Sequence, residues 1–168
     1  DMAYGELPIP ERIGYTFSGW YTEESGGSEI TSSSIVSVVE EQTLYARWTA
    51  NSYTISYYNG ETKIDISSHT YDSSKNLTTW ANLGASVTNS SVGWTFAGWR
   101  TGNNNTTRTY TDGQSVNNLT TESGGNVDLY AVYSRTITFK HGVSAGTSST
   151  GTQYWNPAGT TNGTHLTA

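Results

Sequence analysis

GYTFSGW, residues 14–20, returns as GWTFAGW, residues 93–99. In a chain with only 33% hydrophobic residues, two copies of one aromatic heptad set the reading of everything around them. The repetition extends beyond the heptad. After the first copy comes a Ser-Gly-Gly-Ser turn signal at residues 25–28 and then TLYARW at residues 43–48. After the second come Ser-Gly-Gly-Asn at residues 123–126 and DLYAVY at residues 128–133. A third element follows each pair, YTISYYNG at residues 53–60 and RTITFKHG at residues 135–142. The period is roughly 80 residues, that of a tandem array of small units.

Each block alternates as a half-buried strand does. Tyr53, Ile55 and Tyr57 oppose Thr54 and Ser56, Leu44, Ala46 and Trp48 oppose Tyr45 and Arg47, and Ile137 and Phe139 oppose Thr136, Thr138 and Lys140. The core has to be built from 6 Trp, 12 Tyr and 3 Phe, side chains that suit a pleated surface, while Ala, Leu and Lys are scarce. The chain therefore reads as mainly β. Asn59-Gly60 is a hairpin signal. One helix is expected over 74–83, with Ser73 or Ser74 as cap, Leu77, Trp80 and Leu83 or Ala81 on one side and Gly84 as its end. The expected middle order is strand 53–58, strand 63–70, helix 74–83, strand 94–99, short strand 107–111 and strand 127–133. That β-β-α-β-β order fits a sheet wrapped over one helix.

Within each heptad the expected arrangement is that of a central core strand. Tyr15, Phe17, Gly19 and Trp20 in the first copy correspond to Trp94, Phe96, Gly98 and Trp99 in the second. Phe17 and Phe96 are expected to point inward, and Gly19 and Gly98 to permit a bulge that lets Trp20 and Trp99 cover the sheet edge. Leu44, Trp48 and Leu129 complete the core positions.

The heptad with its Leu-Tyr-Ala strand resembles the Listeria–Bacteroides repeat, also called the internalin B-repeat, whose members carry Gly-Tyr-Thr-Phe-x-Gly-Trp followed by Leu-Tyr-Ala-x-Trp. Similarity is strong over residues 4 to 48 and weaker over 53 to 133, where Trp94 replaces Tyr and Tyr133 replaces Trp. In 135 to 168 it covers only the opening strand. The resemblance implies an α+β, ubiquitin-like β-grasp fold in tandem in secreted or wall-attached bacterial surface proteins, a spacer or adhesive role, and neither catalysis nor a cofactor. On that frame the chain divides into the C-terminal part of a first repeat (1–50), a complete second repeat (51–134) and the N-terminal hairpin of a third (135–168).

Charge and composition narrow the partners. Residues 1 to 50 hold eight acids against Arg12 and Arg47 and so carry the whole net charge of −6, while residues 51 to 168 hold six of each sign. A nucleic-acid partner is not expected, since phosphate binding needs a basic surface. No run approaches the ~18 apolar residues of a membrane span, and no secretory leader opens the sequence, so no membrane insertion is expected. The absence of cysteine suits an exported bacterial protein and removes thiolate chemistry.

Catalytic and metal signals are weak. GVSAG at residues 142–146, beside His141, matches a nucleophile elbow, but its Ser/Thr/Gly-rich surroundings lack the parallel sheet and helix that make Ser144 reactive. His69, His141 and His165 have no metal-ligand spacing and read as surface or turn residues. Asp112-Gly113 reads as a turn, not a calcium loop. Lys63, Lys75 and Lys140 are the lysines available to an isopeptide crosslink, and nothing in their spacing selects one. A carbohydrate-binding module is the alternative function, in which Trp80, Trp94, Tyr110, Tyr154 and Trp155 stack on the sugar rings of host or surface glycans.

The ends suggest a partner. The head, 1 to 50, lacks the hairpin that opens a repeat, and the tail supplies one, with TITFKHG followed by a second strand around TQYWN, residues 152–156. Either the ends are cuts through a longer array or one chain's tail completes the next chain's head by strand addition; the second is favoured, with Ile137, Phe139, Tyr154 and Trp155 as interface candidates, propagating into a filament.

Overall fold

The structure is a computed structural model, and it describes residues 2–37, 40–86, 93–102, 109–140, 148–155 and 166–167. Among the described residues eleven strands occur in the order β1 (Tyr15–Tyr21), β2 (Glu29–Ile30), β3 (Tyr45–Ala50), β4 (Ser52–Asn59), β5 (Thr62–Thr70), β6 (Lys75–Asn76), β7 (Thr95–Thr101), β8 (Ser115–Val116), β9 (Asn126–Lys140), β10 (Ser148–Trp155) and β11 (Leu166–Thr167). The chain is mainly β, and among the described residues there is no helix.

The first heptad forms β1, which lies between β2 and β3 in a three-stranded antiparallel sheet. The second forms β7, which pairs antiparallel with β9. In both pairs the register shifts by one residue at the same place. Phe17 faces Trp48 and Gly19 faces Arg47, while Phe96 faces Tyr133 and Gly98 faces Val132. The bulge needs a residue with φ of 138° at Gly19 and 136° at Gly98, backbone that side chains with a Cβ rarely adopt. One local rule thus produces the same kink twice.

The larger sheet runs β11-β10-β9-β4-β5, with β7 also on β9. β4 and β5 form the hairpin expected at Asn59-Gly60, and β4 lies parallel to the first part of β9. Beyond that parallel stretch β9 runs on without a break and pairs with β10. Tyr53, Ile55 and Tyr57 of β4, Leu129, Ala131 and Tyr133 of β9 and Trp99 of β7 meet in one buried cluster with Leu77 and Val116. On the opposite face Tyr58 stacks on Tyr130, centroids 4.9 Å apart, with Lys63 over the Tyr58 ring and Arg100 over the Tyr130 ring. These four occupy one cross-strand row from β5 through β4 and β9 to β7.

The helix expected over 74–83 does not form. Backbone N–H groups there are taken by tertiary partners instead of carbonyls four residues back. Lys75 and Asn76 pair with β8, the Leu77 amide donates to the Gln114 carbonyl, that of Thr78 to the Tyr57 hydroxyl and that of Trp80 to Asp112 Oδ1. Only a single turn remains, closed by Leu83 N to Thr79 O at 3.2 Å. Leu77, Trp80 and Leu83 still reach the core, because an extended approach plus one turn delivers the same three side chains. The short strand expected over 107–111 is reduced at its described residues to one bridge, Trp99 with Tyr110.

Candidate functional site

The first heptad makes contacts both within its own strand pair and with the loop after β5. Phe17 packs edge-on against Trp20 and Trp48, with centroids 5.6 and 5.5 Å apart, and Trp20 donates its indole N–H to the Pro8 carbonyl at 2.8 Å. In the second copy Phe96 meets Trp99 edge-on at 5.0 Å, and Trp80 stacks on Phe96 at 4.4 Å. The copies differ in burial. Trp99 is fully buried, whereas Trp20 and Phe17 are half-buried. Trp99 therefore sits inside the core and does not cover a sheet edge as expected. Tyr57 of β4, 5.0 Å away, and Trp80 cover it.

The reason lies in strand pairing. At Leu129 and Tyr130, β9 is paired to both β4 and β7. The matching strand of the head, β3, pairs with β1 alone among the described residues. Over Phe17 and Trp48 lies an open groove of about 610 Å³, rimmed by Ile9 and Ile13 and reaching Asn51 and Thr121. Ile9 is 81% and Ile13 77% exposed.

Gly14 and Tyr15, which open the heptad and also line this groove, reach the loop after β5. Tyr15 meets the Tyr71 ring edge-on at 5.7 Å, and its hydroxyl donates to Asp72 Oδ2 at 2.7 Å. Asn118 accepts from the Asp72 amide through Oδ1 and donates to Asp72 Oδ1 through Nδ2, both at 2.6 Å. The Asn118 amide and the Tyr15 hydroxyl hold the Asp72 carboxyl below its ordinary range, with the Arg12 guanidinium assisting. The hydrogen bond to Asp72 pushes the Tyr15 phenol up. Arg12 lies 3.9 Å over the Tyr15 ring.

Asn51, between β3 and β4, bonds to the heptad and to the segments that follow β4. It is buried, its amide donates to the Gly14 carbonyl at 2.9 Å, and its carbonyl accepts from the Tyr71 amide at 2.8 Å. Its side chain accepts from the Thr16 hydroxyl and donates to the Thr121 carbonyl, both at 2.7 Å. Nothing in the sequence alone marked Asn51, Tyr71, Asp72 or Asn118. The only available signal was the three extra residues between Trp48 and Tyr53 relative to Tyr133 and Arg135.

The remaining candidates fall as follows. Leu44 is half-buried and Leu129 fully buried. Trp80, Trp94 and Tyr110, proposed as sugar platforms, pack against the buried cluster, and Trp94 lies under the Arg135 guanidinium at 4.8 Å. Ile137 and Tyr154 are half-buried in the β9–β10 pair, whereas the side chains of Phe139 and Trp155 lie outside the description. His69 is not a surface residue. It is 2% exposed, stacks on Tyr53 at 5.6 Å and pairs with Ser67 Oγ at 3.0 Å, and burial, with Lys75 adding to it, pushes its imidazole down. Burial also pushes the Arg100 guanidinium down to about 10. Lys75 Nζ donates to the Ser68 carbonyl. Ser144, His141 and His165 lie outside the described residues. Among the described residues no group of three or more His, Asp or Glu is placed to hold a metal ion, and no helix is long and apolar enough to cross a membrane.

The same bulge recurs in two strand pairs, and the first of them lies in a stretch similar to known proteins. The Listeria-Bacteroides repeat domain family model matches residues 1–47, which bears out the resemblance carried by the first heptad. Internalin H of Listeria monocytogenes is 34% identical over 94 residues, 56% of this chain and 16% of that protein. No solved structure matches the chain.

Proposed function

We propose that this chain is a non-enzymatic region of tandem β-grasp repeats in a bacterial cell-surface or secreted protein, acting as an extended, adhesive or spacer segment. The recurrence of the same bulged strand pair in β1–β3 and β7–β9 carries the reading, and the family match and the internalin relative support the surface location. In the middle stretch the strand order β5-β4-β9-β7, with the parallel pair at its centre, has the mixed arrangement that a β-grasp requires, and the turn at 79–83 takes the helix's place. The units are 1–50, 51–134 and 135–168. Antibodies against this region should label intact cells of the source organism, and labelling only after lysis would refute the surface assignment.

The open edge of β3 gives the reading its assembly step. A parallel strand of the β4 kind completes the head, and the tail hairpin of another copy supplies it, drawn by a tail containing Arg135 and Lys140 and no acid toward a head carrying −6. Sedimentation at rising concentration should show growing species that deletion of 135–168 abolishes. Identical monomers from the intact and truncated chains would refute assembly.

A further inference from the structure

We infer that the aromatic residue at the second position of each heptad, Tyr15 or Trp94, is a docking point for the repeat that follows it, and that at the first boundary Tyr15, with Gly14 beside it, locks head and middle into one rigid body. The inference rests on the tandem-repeat reading but not on surface location or on assembly.

The first boundary is closed by groups from both sides. Gly14 is buried against Tyr71, and a Cβ there would be driven into that ring. Tyr15 reaches Asp72, whose own conformation, with φ of 56°, is held by Asn118, itself at φ 53°. Two non-glycine residues with positive φ at one contact mean that the surrounding bonds over-determine the loop. Asn51 ties Gly14 and Thr16 on one side to Tyr71 and Thr121 on the other through four hydrogen bonds. A one-residue link carrying that many cross-boundary bonds cannot bend without breaking several together.

The second boundary uses the same heptad position by different means. β9 crosses it unbroken, and Arg135 lies over the Trp94 ring while its Nε donates to Gln153 Oε1 at 2.6 Å. Tyr15 and Trp94, matched in the two heptads, each contact the following unit.

Amide ¹⁵N relaxation on the full chain tests this. One rotational diffusion tensor should fit the strand amides of β1, β3, β4, β5 and β9 together. Asn51→Ala should release the head, whose amides then lose the shared correlation time while those of the middle keep theirs. If Asn51→Ala loses head amide dispersion, the paired Tyr15→Phe and Asp72→Asn variant, which leaves the backbone link intact, gives the same reading. Separate tumbling in the unaltered chain, or a folded variant that still tumbles as one body, would overturn the inference. Neither result depends on where the protein resides, and recording at a concentration where sedimentation shows monomer keeps it separate from assembly.

Discussion

The Tyr15 hydroxyl donates to Asp72 across the head–middle boundary at 2.7 Å; the Asn118 amide and then this bond lower the Asp72 carboxyl, and the bond raises the Tyr15 phenol. Asp72 is depressed below 3.8, so the folded chain resists its protonation. The contribution is complete above that value and is lost as pH falls through the folded one. Tyr15 is raised above 10.0, so its contribution is complete below that value and is lost as pH rises through the folded one. Denaturation midpoints of Tyr15→Phe should fall below those of the unaltered chain by a constant amount between about pH 5 and about pH 9. The gap should narrow beyond both limits. A gap that stays constant down to about pH 2 would exclude the Asp72 contact as its cause.

Gly14 and Gly93 have nearly the same backbone, φ 77° and 79°, in different surroundings. Alanine at either position meets backbone strain of about 1–3 kcal/mol. At Gly14 it also collides with Tyr71, whereas Gly93 has open space around it. Chemical denaturation should therefore show a larger loss for Gly14→Ala than for Gly93→Ala. Equal losses would show that Tyr71 is not held against the heptad.

Trp99 is fully enclosed while Trp20, at the same heptad position, is half-buried. Trp99→Ala should cost about 3–5 kcal/mol, and Trp20→Ala distinctly less. Phe17 and Phe96 are both half-buried, so their alanine variants should also fall below the cost of Trp99→Ala. A Trp20→Ala loss as large as that of Trp99→Ala would mean that the head carries cover over Phe17 and Trp48 that the open groove does not show.

Tyr58 and Tyr130 stack at 4.9 Å across the parallel pair. A double-mutant cycle with alanine at both positions should return a coupling of about 0.5–1.5 kcal/mol. No coupling would argue against the β4–β9 register.

How far the sequence carried the fold can be followed residue by residue. The period-two alternation of residues 53–57 and 136–140 was enough to place β4 and the second part of β9, and Gly19 and Gly98 announced their bulges, because these signals are local. Residues 77–83 misled because spacings of three suit either a helix or an extended segment with one turn. The choice was made by partners far away in sequence, the Tyr57 hydroxyl, Gln114 and Asp112. His69 looked like a surface residue because burial comes from its pairing opposite Tyr53, a tertiary fact. The boundary was the least legible part. Asn51, Asp72 and Asn118 are ordinary polar residues in a polar chain until the fold brings them together over intervals of 35 to 70 residues.

The central claim is that one bulged strand pair is used twice, and cross-strand nuclear Overhauser contacts in the isotope-labelled chain test it most directly. The account predicts that contacts place Phe17 opposite Trp48 with Gly19 opposite Arg47, and Phe96 opposite Tyr133 with Gly98 opposite Val132. The same one-residue shift should appear in both pairs. A regular ladder without the shift in either pair would contradict it.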